Sequence, residues 1–209
     1  MILLETKQVS PGCVKITSDT GLAFFIRSAY LKTVSPEALV PGAVFSGDAE
    51  AELVDAGLAF SAESKAVEYL ARAEQCRFKL TRKLLEKQFS RGHIDAALDY
   101  LEGVQYLSDG RYARAWLNAR KISHAEGRIR LAAELAARGI SRETARQALD
   151  EFFSENSEME LCRRAYQKLL RSKKAADREA AFRALVQRGF GGGMIRTVLE
   201  EAEAGRAGI

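Results

Sequence analysis

Asp109-Gly-Arg-Tyr-Ala-Arg-Ala-Trp116, followed by Arg120, Gly127-Arg-Ile-Arg130, Leu135 and Gly139-Ile140, is the stretch whose reading decides the fold. Tyr112, Trp116 and Ala119 share one face of a helix, while Arg111, Arg114, Asn118 and Lys121 share another at i, i+3, i+7 and i+10. A second amphipathic segment runs to Leu135 and closes at Arg138-Gly139-Ile140, where glycine suits a left-handed C-terminal cap. A third helix, Ser141 to Phe153, completes a three-helix module with a basic outer face.

The module recurs. Leu84, Leu135 and Leu185 superpose at separations of 51 and 50 residues, and the same register brings Leu98, Leu149 and Leu199 together. Ile94/Ala145/Ile195, Ala97/Ala148/Val198 and Leu101/Phe152/Ala202 fill the same apolar stripe. Between the helices, Lys87-Gln-Phe89, Arg138-Gly-Ile140 and Arg188-Gly-Phe190 repeat a basic residue, a stop position and a hydrophobe. Gln88 in the first copy makes that turn the costlier one. Tyr69, Trp116 and Tyr166 align a further helix ahead of each pair. A unit of this size cannot bury its apolar face alone, so neighbouring units stack. The expected fold is mainly α: tandem three-helix repeats in an elongated curved array, with a small β-rich N-terminal segment. The expected divisions are 1–60, 61–107, 108–153 and 154–209, and the core is expected to hold Leu84, Leu98, Trp116, Leu135, Leu149, Leu185 and Leu199.

The 209 residues shift in composition near residue 60. All three prolines, Pro11, Pro36 and Pro41, precede it, and the remainder is rich in strong helix formers. Residues 1–60 carry four Lys/Arg against seven Asp/Glu, and residues 61–209 carry 28 against 21, so the basic excess belongs to the repeats. Cys13-Val-Lys-Ile-Thr17 alternates, and Leu22-Ala-Phe-Phe-Ile26 follows the turn signal Ser18-Asp-Thr-Gly21, which predicts a hairpin. Asp48 to Ala56 reads as one short helix ending before Gly57, and so small a segment is expected to pack on its neighbour. Three widely separated cysteines, Cys13, Cys76 and Cys162, give no disulfide framework and fit a cytoplasmic protein. No segment approaches the ~20 apolar residues of a membrane span, so no membrane contact is expected.

Basic sets recur as Arg72, Arg77, Lys79, Arg82 and Lys83 in the first unit and Arg171, Lys173, Lys174 and Arg178 in the third. Each set reads either as a solvated face or as a surface for an acidic partner; guanidinium groups suit both phosphates and carboxylates. Trp116 at helical spacing reads as packing. Gly191-Gly-Gly-Met194 lacks the strand and Lys-Ser/Thr pair of a phosphate loop and reads as a helix entry. His93 and His124 lack metal-ligand spacing, and His93 reads as a surface or capping residue. Glu126 and Glu134 read as helix-surface acids. With no nucleophile–base pair or nucleotide loop, neither an enzyme nor a cofactor is expected.

Several motifs together resemble the RecX family of recombination regulators: Ala66-x-x-Tyr-Leu70, Arg77-x-Lys-Leu80, Lys83-Leu84, Leu107-Ser-Asp109, Arg111-Tyr-Ala113, Trp116, Arg120, Gly127-x-x-Arg130, Glu134-Leu135 and Gly139-Ile140. Gln88 and Cys76 depart from the family pattern. The resemblance implies three tandem three-helix repeats that bind the RecA filament on single-stranded DNA. It further implies that they suppress ATP hydrolysis, strand exchange and co-protease action, and a monomer is expected. On that reading Arg111, Arg114 and Lys121, with Arg77, Arg82, Arg128 and Arg130, meet acidic RecA surface or nearby phosphates. Arg72, Lys79 and Lys83 extend the same candidate surface. The alternative is a general DNA-binding helical protein acting without RecA, since basic three-helix units also describe helix-turn-helix domains.

Overall fold

The computed structural model describes residues 1–171 and 177–207 and divides into two compact units, Met1–Ser108 and Asp109–Ile209. Lys173 and Lys174 lie outside the described residues.

The first unit opens with an antiparallel sheet of β1 (Leu3–Ser10), β2 (Cys13–Ser18) and β3 (Ala23–Arg27), in that order. Lys15 pairs with Lys7 on one side and Phe25 on the other, so Ile16 and Ile26 turn to the opposite face. There they join Leu3, Leu39, Leu53 and Ala56 in a buried cluster.

Leu53 and Ala56 belong to α1 (Gly47–Leu70), and this helix corrects the sequence reading. It does not stop before Gly57 but runs unbroken for 24 residues, so a division at residue 60 falls in its middle. Gly57 is there for packing: a Cβ on it would lie 2.5 Å from the Phe24 ring of β3. The N-terminal half of α1 therefore covers the sheet, while Ala66, in its C-terminal half, enters the core of the first triplet. That core also holds Leu80 and Leu84 of α2 (Arg77–Leu85), Ile94, Leu98 and Leu101 of α3 (Arg91–Gly103), and Leu107. The segment expected to pack on its neighbour does so by sharing a helix with it.

The second unit holds two further triplets. α4 (Asp109–Ser123) and α5 (Arg128–Ala136) pack on α6 (Arg142–Glu155), and α7 (Glu158–Arg171) and α8 (Arg178–Gln187) pack on α9 (Gly192–Ala207). Leu84, Leu98, Leu135 and Leu185 are completely buried, and Leu149 and Leu199 nearly so.

The three turns share one geometry. Gln88, Gly139 and Gly189 all adopt left-handed φ, at 65°, 76° and 86°. In each, the following hydrophobe donates its N–H back to the superposed leucine: Phe89 to Leu84, Ile140 to Leu135 and Phe190 to Leu185, at 3.2–3.3 Å. This is the Schellman closure, and it satisfies carbonyls that a helix end would leave open. A side chain in the left-handed region costs about 1–2 kcal/mol. Because glycine also loses more backbone freedom on folding, Gln88→Gly should raise stability by about 0.5–1 kcal/mol. A higher urea midpoint at unchanged m-value is the expected result; no gain would mean that Gln88 sits there without strain.

Among the described residues no helix is long and apolar enough to cross a membrane, and the buried Cys13, Cys76 and Cys162 form no disulfide. Burial and the nearby Glu158 push the Cys162 thiol up to about 11, so it stays protonated.

A basic surface and its internal ties

The second unit carries 20 Lys/Arg against 14 Asp/Glu, a net +6, so it holds more than the whole positive excess of the chain. Many of these cations are tied down. Arg128, the first residue of α5, pairs through Nη1 with Asp150 of α6 at 2.6 Å. The equivalent Arg77 pairs with Asp99 and Glu102 of α3, both at 2.7 Å. The equivalent Arg178 reaches Glu203 and, at 3.9 Å, Glu200 of α9. Asp99, Asp150 and Glu200 themselves recur at 51 and 50 residues. The pair thus repeats three times as a strap from the second helix of each triplet to the third. Arg77 and Arg128, candidates for partner binding from the sequence, are straps in this structure.

Around Trp116 the structure departs further from the sequence reading. The indole is not in the buried core; it is half-buried, with the guanidiniums of Arg120 and Arg138 5.2 Å and 4.6 Å from its ring centroid. Arg120 donates to Glu126 at 2.5 Å and Arg130 donates to the same carboxylate at 2.9 Å, while Arg138 pairs with Glu134 at 2.8 Å. Glu126 is no surface acid, being only 7% exposed. Burial alone would raise its pKa, but the two guanidiniums outweigh burial and hold it below the usual carboxylate range. A tryptophan at helical spacing looks apolar in the sequence; Arg120 stands one turn on from it, but nothing local reveals that Arg138 covers it as well.

The remaining candidates divide by their surroundings. Arg114 meets Glu151 at 3.3 Å with both side chains near half exposure, a weak surface pair. Lys121 donates to the Asn156 side chain at 2.8 Å. Arg111 and Lys79 are half-buried. In the first unit Lys83 donates to Gln75 and lies 4.7 Å from the Tyr69 ring, whereas Arg72 and Arg82 are exposed. The sequence reading missed Arg164, Lys168 and Arg171 as a set, although they stand 50 residues after Arg114, Asn118 and Lys121 and line the exposed side of α7.

Ser90, His93 and Asp55 also form a chain that the sequence did not disclose. His93 Nδ1 lies 2.8 Å from Ser90 Oγ, and its Nε2 lies 3.1 Å from Asp55. Ser90 Oγ also accepts the His93 N–H as the N-cap of α3, so the contact fixes the entry of that helix against α1. Among the described residues no group of three His, Cys, Asp or Glu is placed to hold a metal ion.

Comparison with known proteins fixes the family. Residues 62–101 match the RecX first three-helix domain and residues 108–149 the RecX second three-helix domain. A regulatory protein RecX of Treponema pallidum is 36% identical over 140 residues, spanning 67% of this chain and 84% of that protein. Another, from Chromobacterium violaceum, is 34% identical over 139 residues, covering 66% of this chain and 89% of its own. The chain belongs to the RecX family. Its fold agrees: a crystal structure of regulatory protein RecX superposes with a TM-score of 0.75 at 20% identity, covering 95% of this chain and 98% of the other. RecX from Lactobacillus salivarius gives 0.62 at 18% identity, covering 70% and 97%.

The stretch Gly127-x-x-Arg130, one of those that carry the resemblance, has a physical cause in the structure. Gly127 donates its N–H to the carbonyl of Arg188 at 2.9 Å, and Ile129 donates to that of Gly189 at 3.3 Å. The open donors at the start of α5 thus meet the open carbonyls at the end of α8. The approach is so close that a Cβ on Gly127 would lie 2.3 Å from the Gly189 oxygen. Arg130 closes the junction by donating to Gln187 O at 3.2 Å and to Glu126.

Proposed function

We propose that this RecX-family regulator binds filaments of the RecA recombinase on single-stranded DNA and suppresses their ATP hydrolysis, strand exchange and co-protease activity. It acts as a cytoplasmic monomer and without a cofactor of its own. Family membership carries this reading, because regulation through binding asks for a shaped, charged surface and no reacting centre. The concentration of positive charge in the second unit supports it, since a nucleoprotein filament presents phosphates and acidic side chains together. Arg111, Arg114 and Lys121 on α4 are the proposed contact row, with Arg72 and Arg82 on the first unit. The straps Arg77 and Arg128 contribute indirectly, by holding their triplets together.

Reversing Arg111, Arg114 and Lys121 together to Glu should weaken binding to RecA–single-stranded-DNA filaments by at least about tenfold, the effect of ~1.4 kcal/mol. Helical content should stay unchanged. Binding that survives the reversal would move the interface off α4.

A further inference from the structure

β1 is an edge strand of its sheet, and the chain itself shows how that edge takes a partner. At its start Leu3 donates its N–H to Ala43 O at 3.0 Å and accepts from the Gly42 N–H at 2.7 Å, while Ile2 bridges Val44 in the antiparallel sense. The cover ends there, because Pro41 and Gly42, the latter at φ 87°, turn the chain away. From Glu5 on, no backbone group among the described residues meets the outer side of β1. Bulges at Leu4 and Val9 bound a regular ladder over residues 5–8, in which alternate residues turn N–H and C=O outward. The two faces of that ladder differ. Glu5 and Lys7, opposite Thr17 and Lys15, stand on the outer face; both are exposed, and neither has an ion-pair partner among the described residues. Thr6 and Gln8, opposite Ile16 and Val14, stand on the face that carries the core. There Gln8 lines a cleft of about 440 Å³ together with Val14, Ile26, Pro36 and Leu39.

We infer that the open edge of β1 is a docking site for a short extended segment of another protein, added antiparallel as a further strand of the sheet. In strand addition the main chain supplies affinity and alternate side chains supply selection. An acidic residue opposite Lys7 and a basic one opposite Glu5 complete two cross-strand ion pairs on the outer face. An apolar residue opposite Gln8 falls on the other face and enters the cleft beside Val14 and Ile26. Read from its N-terminus, the recognised segment is therefore apolar, acidic, any residue, basic. A second copy of this chain is the poorer occupant. Its Leu4-Glu5-Thr6-Lys7 has the same pattern, but the register that uses it runs the copy's Val9 onto Leu3, where Gly42 and Ala43 already stand. A segment that ends or turns after its basic residue meets no such obstacle. The ladder is also too short, between its two bulges, to seed a longer sheet. The occupant is recognised independently of the RecA filament, so its test needs neither RecA nor DNA.

The experiment is fluorescence anisotropy of a labelled peptide, Val-Ile-Glu-Val-Lys-amide, titrated with the full chain. Saturable binding with a Kd below about 1 mM is expected, together with slowed hydrogen exchange at alternate amides of residues 5–8. Replacing the peptide's Ile by Ser should weaken binding about tenfold, through loss of the side chain that enters the cleft. Exchanging the peptide's Glu and Lys should also cost at least about tenfold, since both cross-strand pairs then set like charges together. The variant carrying Glu5→Lys and Lys7→Glu should reverse that preference and favour the exchanged peptide, a result that misfolding does not produce. Absence of saturable binding, unchanged exchange along β1, or a preference that the double variant fails to reverse would overturn the assignment. So would self-association of the peptide-free chain, seen by sedimentation and abolished in the Lys7→Glu variant, because the edge would then belong to a second copy.

Discussion

Gly127→Ala is expected to lower stability by about 3 kcal/mol, well above the cost of an ordinary surface substitution. The reason lies in two backbones meeting without side chains between them. The added methyl would sit 2.3 Å from Gly189 O and 2.7 Å from Phe190 N, and neither is a flexible side-chain tip that could swing away. Relief would require α5 to retreat from the α8–α9 turn, which breaks the bonds from Gly127 and Ile129 to Arg188 and Gly189. The backbone of Gly127 itself is ordinary, with φ of −86°, so contact rather than conformation causes the loss. Gly189 suffers on both counts: its φ is 86° and a Cβ there would lie 2.3 Å from Arg130 N. The single tryptophan, Trp116, lies on α4 of the same unit and its fluorescence reports the transition. A fall of more than about 10 °C in Tm is expected for a unit of this size. An alanine variant with unchanged Tm would show that the junction is not the close approach described.

Glu63→Ala should be comparably damaging in the first unit, at about 3–5 kcal/mol, because it leaves a buried charge without its partner. Glu63, on α1, is only 5% exposed. It accepts from Arg27 Nε and from the Tyr30 hydroxyl, each at 2.7 Å. Arg27 in turn lies 4.3 Å from the Tyr100 ring centroid and 5.4 Å from that of Phe60. One carboxylate thereby joins β3, α1 and α3. The hydrogen bond to Glu63 raises the Arg27 pKa, and burial raises that of Tyr30, with the neighbouring carboxylate adding to it. Glu63→Gln, which keeps one acceptor but loses the charge, should fall between wild type and alanine. Hydrogen exchange would show faster opening of β3 and the middle of α1. Unchanged protection in the alanine variant would remove Glu63 from the account of how the sheet is held.

The triplets were legible because their signal is long: leucines, stop positions and the apolar stripe of the following helix recur together at 51 and 50 residues, and chance does not align so many positions. The straps were legible too, through Asp99, Asp150 and Glu200, but only if acids are superposed along with hydrophobes. Charge in a sequence shows a basic residue without showing its partner. Arg77 and Arg128 therefore looked available, and the exposed Arg164–Lys168–Arg171 line looked no different from them. Gly57 misled for a related reason. A helix-stop glycine and a glycine that admits Phe24 against a continuing helix are the same letter, and only the tertiary contact separates them. Glu126, two residues before α5, reads as surface until the arginines around it are placed.

The most direct test of the central claim is the single-stranded-DNA-dependent ATPase of RecA, measured with increasing amounts of this protein at substoichiometric ratios. Inhibition that sets in well below one molecule per RecA monomer, and weakens for the α4 charge-reversed variant, is the predicted result. Hydrolysis that stays unaffected at every ratio, with single-stranded DNA binding intact, would contradict the filament reading and leave a DNA-binding helical protein in its place.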